Sequence, residues 1–377
     1  MSEPPRLTIG IDASRAGSER QTGTERYSRR VIESMLAIPG QIRFRLYLNG
    51  DRPLDLAERE AVCQRLIPFP RLWTHLRLST ELALHAVDAL FVPAHVVPPV
   101  HPRATVVTIH DLGYLYEPGA HTTRARRYLD WSTRWSARMA SRVIAISGAT
   151  RDDLVRHYQV REDRIRVVPH GVDERFRPMD QHEAAAAVTT LRVRPPYLLF
   201  VGTLQPRKNL ARLIAAFDRV ADDYPDLALV LAGKRGWLAE QIDSALAVSR
   251  HRERIVLLGH APDAVLPALY AGAAALALPS LAEGFGLPVL EAMACGTPVL
   301  ISDRGALPEV GGDAALVIDP LDVGAIAAGL VRLLDPTERV ARSAAGIARA
   351  AGFSWARTGE QTLEVIMEAV RAGARRR

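Results

Sequence analysis

Short apolar runs alternate with longer amphipathic stretches along the whole chain. In the first half the runs are Leu7–Asp12, Phe44–Leu48, Ala89–Val92, Thr105–His110, Val143–Ser147 and Ile165–Pro169. In the second half they are Tyr197–Gly202, Leu227–Gly233, Ile255–Gly259, Ala274–Pro279, Pro298–Ser302 and Ala315–Asp319. Helix-like segments lie between most of them. Near-continuous apolar strands separated by helices predict parallel α/β layers, covered on both faces. The longest apolar candidate, Ala264–Leu278, carries Pro267, Tyr270 and Gly272 and reads as helix then strand. It falls short of the roughly 20 apolar residues that a spanning helix needs.

The two halves read as two doubly wound domains. The break between them is placed at residues 177–196, which hold Pro178, the small-residue run Ala184–Ala187 and the string RVRPP. Adjacent prolines stop helices and favour extended chain. That gives an N-terminal domain over 1–176, a linker over 177–196 and a second domain over 197–350. In open α/β sheets ligands bind beyond the carboxyl ends of the strands. The strand-to-helix loops are therefore where chemistry is expected.

A length of 377 residues suits two such domains, each with a core of its own. Hydrophobic residues at 48% and charged residues at 24% exclude disordered and fibrous classes. The opening MSEPPRLTIGID lacks the apolar stretch of a secretory signal, so a cytoplasmic location is expected. Cys63 and Cys295 exclude a disulfide framework and an all-cysteine metal site; they read as reduced thiols. Net charge is +6, yet Lys208 and Lys234 are the only lysines, so Lys208 stands out among arginines. A mild positive balance suits an anionic substrate or membrane surface. With neither zinc-finger spacing nor an RNP-like aromatic motif, no nucleic acid is expected.

Five loops carry candidate chemistry. In PSLAEGFGLPVLEAMACGTPVL, Glu283 sits among Gly284 and Gly286 before a helix that Pro288 can start and Gly296 and Pro298 end. Outward amides at such a helix start favour an anion. Glu283, and Glu291 about one turn inside the helix, can accept from sugar hydroxyls. In FVGTLQPRKNLARLIAAF, Arg207 and Lys208 follow a strand end and suit a diphosphate, and Asn209 can cap the next helix. In IDASRAGSERQTGTERYSRR, Gly23 allows close backbone approach and Thr24 can cap a helix beginning at Glu25. In VVTIHDLGYLYEPGAH, His110 and Asp111 leave the first sheet, where a histidine can bond a hydroxyl or move a proton. In RARRYLDWSTRWSARMASR, Tyr128, Trp131, Trp135 and Met139 recur at helical spacing. Core packing is the first reading of that stripe; a membrane interface is the other. Each loop alone is open to an ordinary structural reading. No D-x-D pair, P-loop, G-x-S-x-G elbow, G-x-G-x-x-G fingerprint or histidine metal spacing occurs.

Taken in order, QTGTERY, GTLQPRKN, EGFGLPVLE, ACGTPV and LPEVGGDA resemble a family 4 retaining glycosyltransferase of the GT-B fold, in particular bacterial mannosyltransferases of polysaccharide synthesis. The most specific element is the E-x7-E pattern of Glu283 and Glu291. The resemblance implies two Rossmann-like doubly wound parallel-sheet domains facing across a cleft. A last helix around 355–370 would return to the first domain, so that 351–377 belongs with it. Arg207 and Lys208 would hold the donor diphosphate, Glu283 the donor sugar and Glu291 the ribose. The amides of Phe285, Gly286 and Leu287 would meet the sugar or phosphate. Thr203, Gly259 and His260 would line the nucleotide, with Gly23 near the phosphates. Thr24, His110 and Asp111 would lie on the acceptor side, with His110, Glu283, Arg207 and Lys208 as the catalytic set. No metal or cofactor is implied. The implied donor is a nucleotide-diphosphate sugar, GDP-mannose ahead of UDP or ADP sugars, and the acceptor a saccharide or lipid-linked saccharide. The implied location is cytoplasmic or peripheral on an anionic inner membrane face. A sugar-nucleotide epimerase and a non-catalytic sugar-nucleotide-binding module share these features and stand as the alternatives.

Overall fold

A computed structural model of the chain describes residues 7–17, 23–56, 61–94, 96–116, 122–189, 191–236 and 240–374. The apolar runs are strands of two parallel sheets. The first holds β1 (Leu7–Asp12), β2 (Ile42–Leu48), β3 (Val62–Leu66), β4 (Ala89–Val92), β5 (Ala104–Ile109), β6 (Arg142–Ala145) and β7 (Ile165–Val167). Their spatial order is β3-β2-β1-β4-β5-β6-β7. The second holds β8 (Tyr197–Val201), β9 (Ala228–Ala232), β10 (Ile255–Gly259), β11 (Ala275–Leu278), β12 (Val299–Ser302) and β13 (Leu316–Ile318), in the order β10-β9-β8-β11-β12-β13. Both orders reverse at the first strand of the sheet, the switch point of a doubly wound Rossmann-like fold. Central strands are buried at every position, as in β4, β5, β11 and β12, which is why they read as continuous apolar runs. β3 was not expected: it is an edge strand, VCQRL, with every residue partly or fully exposed, so it carries no apolar run.

The chain divides into two compact units, one of 1–112, 123–171 and 354–377, the other of 113–122 and 172–353. Residues 177–196, read from the sequence as linker, lie inside the second unit. There Gln181–Thr189 form a helix that buries Ala184 and Val188 and packs on the helix Leu266–Ala271. The last helix, Trp355–Ala374, belongs to the first unit and packs on the helix Gly23–Ala37. Gly359 makes that crossing close: a Cβ there would lie 2.7 Å from the Ser34 side chain and 3.0 Å from the Met35 amide.

One expectation is reversed. The helix Thr123–Met139 turns Ser132, Ser136 and Ala137 inward, while Tyr128, Trp131 and Met139 are exposed. Trp135 is only partly buried, its indole N–H donating to the Val97 carbonyl at 2.9 Å. Small residues let the helix approach the sheet closely, and the bulky stripe is left outside. Two helix starts also differ. The first helix begins at Gly23, so Thr24 lies within its first turn rather than capping it. Asn209 makes no capping side-chain bond.

Asp12 ends β1 and is 2% exposed. Its Oδ1 accepts from the Ser14 amide at 3.1 Å, and its Oδ2 meets no hydrogen-bond partner among the described residues. Burial outweighs Ser14 and Arg15 and pushes the carboxyl from 3.8 up to about 6. A raised carboxyl lowers stability once the pH passes its unfolded value, and does so fully above its folded one. Asp12→Asn keeps an acceptor for Ser14. It should therefore add on the order of 2 kcal/mol at about pH 7, and nothing below about pH 3.8. Urea unfolding at both pH values checks this; a gain of equal size at each would refute the assignment.

Candidate active site

The second sheet delivers its carboxyl ends side by side, and three loops meet there. After β8 the chain turns through Thr203 into the short helix Pro206–Lys208. After β11 it passes Ser280 and Glu283 to Gly286, which opens the helix Leu287–Ala294 with φ +96°. After β12 it runs through Arg304 and Gly305. The first two loops are locked by the Leu281 amide, which donates to the Arg207 carbonyl at 2.9 Å. Asn209, expected as a helix cap, is a cross-brace instead. Its Nδ2 donates to the carbonyls of Pro279 at 3.0 Å and Pro320 at 2.7 Å, joining loops after β8, β11 and β13. The long-range partners, invisible in the sequence, outcompete the local capping bond.

Within this frame the charges converge. Arg207 donates to Glu283 Oε2 at 3.0 Å, and Lys208 Nζ donates to Glu283 Oε1. Arg207 also reaches the Ala282 carbonyl. The Glu283 side chain is 8% exposed. Burial alone would raise its pKa; the two cations beside it win and hold the carboxyl at about 2. Glu283 is thus an ionised carboxylate held by two cations, with net positive charge left over. The set can do two things: offer carboxylate oxygens to hydroxyls and offer positive charge to an anion.

Gly305 lies against the Glu283 backbone and was not singled out in the sequence. Its φ is +59°, and a Cβ there would stand 2.4 Å from the Glu283 carbonyl oxygen. Ala306 donates its amide to that same carbonyl at 3.0 Å. The backbone of Glu283 is therefore fixed from below by a position that tolerates only glycine. A glycine one turn past a strand end was the available signal.

The other predicted residues fall as follows. Phe285 is buried edge-to-face on Phe353, ring centres 6.1 Å apart. Leu287 is the first residue of its helix. Glu291 is buried, and its Oε2 accepts from the Tyr270 hydroxyl at 2.7 Å, a partner the sequence did not reveal. Its charge, after burial itself, helps push the Cys295 thiol up to about 12. Thr203 and Gly259 are partly exposed at the ends of β8 and β10, and His260 is exposed.

Gly23, Thr24, His110 and Asp111 belong to the first unit. His110 follows β5 and sits edge-on to Tyr27, with ring centres 4.8 Å apart. Its Nε2 lies 2.9 Å from the Pro93 carbonyl, so that nitrogen carries the proton. Burial lowers its pKa more than the Pro93 bond, Asp111 and Glu25 raise it, so the ring is neutral. His170 stacks on Tyr27 behind it at 4.6 Å. Asp111 is exposed beside it.

Two doubly wound parallel-sheet units with this strand order define a GT-B type of protein. The match with known proteins is specific. The model for "Glycosyltransferase Family 4" covers residues 23–176, and that for "Glycosyl transferases group 1" covers 181–347. O-antigen chain mannosyltransferase B of Escherichia coli is 35% identical over 264 residues, 68% of each chain. The chain belongs to the family 4, group 1 glycosyltransferases. MMP alpha-(1->4)-mannosyltransferase of Mycolicibacterium hassiacum is 32% identical over 241 residues, 62% of this chain and 56% of that protein. The chain thus spans about two thirds of the first relative and little more than half of the second. Among solved structures, sucrose-phosphate synthase from Thermosynechococcus elongatus superposes with a TM-score of 0.77 at 20% identity, over 97% of this chain and 100% of that one. That likeness speaks to the fold.

Proposed function

We propose that the chain is a retaining hexosyltransferase that moves mannose from GDP-mannose to a saccharide or lipid-linked saccharide, without a metal. The observation that carries this reading is the Arg207–Glu283–Lys208 set at the carboxyl edge of the second sheet. Glu283, kept ionised by its two neighbours, accepts from the hydroxyls of the donor sugar. Arg207, Lys208 and the amides before the helix Leu287–Ala294 face the diphosphate. Glu291 takes the ribose. The acceptor oxygen bonds the anomeric carbon on the face from which the phosphate oxygen departs. The acceptor proton goes to that leaving oxygen, and the products are the glycoside and the nucleoside diphosphate. Charge grows on the diphosphate in this step, and fixed positive groups stabilise it most where water is scarce. His110, with Nε2–H committed to Pro93, offers Nδ1 to an acceptor hydroxyl. Mannose is supported by the names of two relatives. A lipid-linked acceptor would bring the protein to a membrane as a peripheral guest on its cytoplasmic face; among the described residues no helix is long and apolar enough to cross one.

A thermal-shift panel of GDP, UDP, ADP, dTDP and their sugar conjugates, run with and without EDTA, tests the donor assignment. A ligand at about 100 times its dissociation constant adds about 2.7 kcal/mol of stability. Stabilisation by guanosine ligands alone is expected. A shift confined to another base overturns the GDP assignment, and a shift that EDTA abolishes overturns metal independence. Nucleoside diphosphate release that proceeds only when a saccharide acceptor is added separates a transferase from an epimerase.

A further inference from the structure

Two neighbouring segments of the first unit hold large apolar side chains out in water. On the helix Thr123–Met139, Tyr128 is 50% exposed and Trp131 is 49% exposed. Beside it runs Trp73–Leu78, a single wide turn of π-helix, a geometry frequent at functional sites. His75 joins the two: its Nε2 is 3.4 Å from the Tyr128 hydroxyl, and its ring centre is 6.2 Å from that of Trp131. Leu72 and Leu76 flank it at 61% and 51% exposure. The Leu76 amide donates to the Leu72 carbonyl at 2.9 Å, so one turn separates the two leucines on the same side. Phe69, three residues before Leu72, is exposed as well.

Single exposed leucines are ordinary; a cluster spanning two elements marks a contact surface. Backbone strain points the same way. Leu72 has φ +55°, a left-handed conformation that ordinary L-residues avoid. Strain of this kind persists where it is used. Trp73, next in the chain, anchors the turn by burying its ring and donating its indole N–H to the Ile67 carbonyl at 2.8 Å.

Charge identifies the occupant. The helix Thr123–Met139 carries Arg124, Arg126, Arg127, Arg134 and Arg138 against one acid, Asp130. Three of those arginines stand in its first two turns, where the helix dipole already places positive charge. Arg71, next to Leu72, is exposed too. Apolar and aromatic tips among arginines, with little acidic charge, match the headgroup layer of an anionic bilayer. A carbohydrate chain would ask for carboxylates or amides beside the rings. Asp130 is already engaged by the Tyr158 hydroxyl at 2.7 Å and by Arg134 at 3.7 Å.

We propose that Leu72, Leu76, Tyr128 and Trp131, with Arg71, Arg124 and Arg127, form the face by which this protein docks on anionic phospholipid. This gives the peripheral membrane contact of the proposed function a defined surface. Trp135, half-buried on Val97, is a support for Trp131 and not an anchor; the two rings stack 6.1 Å apart.

Flotation with vesicles of phosphatidylcholine, with and without phosphatidylglycerol, tests the assignment in the absence of donor and acceptor. It therefore stands or fails apart from the transferase reading. The wild type should float with the anionic vesicles at low salt and less so at high salt. Leu72→Ser/Leu76→Ser and Trp131→Ala change exposed side chains, so unchanged melting confirms folding. Each should weaken vesicle binding by about tenfold while turnover of a water-soluble acceptor stays as in wild type. Wild type that stays off the vesicles, or variants that float equally well, overturn the proposal. Variants that lose affinity for an acceptor polysaccharide but keep vesicle binding would make the surface a glycan platform. A dimer in sedimentation velocity that Leu76→Glu dissociates would make it an interface between two copies. Either result also overturns the proposal.

Discussion

Lys208→Ala should lower kcat on the order of 100-fold or more, the scale seen when one charge-stabilising donor is removed from a transition state. The expected loss is large because the ammonium serves two charges. It donates to Glu283 Oε1 and, in the proposed function, it also faces the donor diphosphate. Arg207 stays on Glu283 Oε2 at 3.0 Å in the variant, so the carboxylate keeps a cation and the fold survives. Catalytic loss should therefore exceed any loss in melting temperature. Lys208→Arg should not restore the rate, because a planar fork cannot occupy the place of a compact ammonium that is nearly buried. Steady-state kinetics with saturating donor check this. Turnover within about threefold of wild type would remove Lys208 from the machinery.

The sequence made the sheets legible because their central strands are buried on both faces and so appear as unbroken apolar runs. β8 and β11 are examples: their ends mark where Arg207, Lys208 and Glu283 must emerge. What stayed hidden depends on partners distant in sequence. Asn209 looks like a cap, since capping is a local bond, but Pro279 and Pro320 claim its amide. Gly305 looks like any loop glycine until the Glu283 carbonyl is found where its Cβ would be. The helix Thr123–Met139 misled for a different reason. Periodicity shows that a stripe exists and says nothing of which side faces the sheet. Serine and alanine took the inside, Trp135 stayed half-buried, and Tyr128, Trp131 and Met139 became surface.

Glu283→Gln should cost comparable activity and, unlike Lys208→Ala, should change how stability depends on pH. The carboxyl titrates at about 2 in the folded chain against 4.5 ordinarily. A depressed carboxylate adds stability that is complete above its unfolded pKa and is lost as pH falls toward its folded one. Glu283 thus stabilises fully above about pH 4.5 and progressively less down to about pH 2. Glutamine has no charge to lose; its one carbonyl oxygen can accept from one of the two cations, and its NH2 would confront the other, which can only donate. The variant should be less stable on the order of 3 kcal/mol at neutral pH, within the range for breaking a buried pair. That deficit should shrink through the window and vanish near its lower end. Adding Lys208→Ala to Glu283→Gln removes one stranded cation, so the double variant should be more stable than the sum of the single changes predicts. Urea titrations of the four proteins at several pH values measure both effects. Parallel pH profiles for wild type and Glu283→Gln, or strict additivity in the cycle, would mean that the two cations do not hold Glu283 in solution. The carboxylate would then have to be organised by the donor itself, and the site would be assembled on binding rather than built in advance.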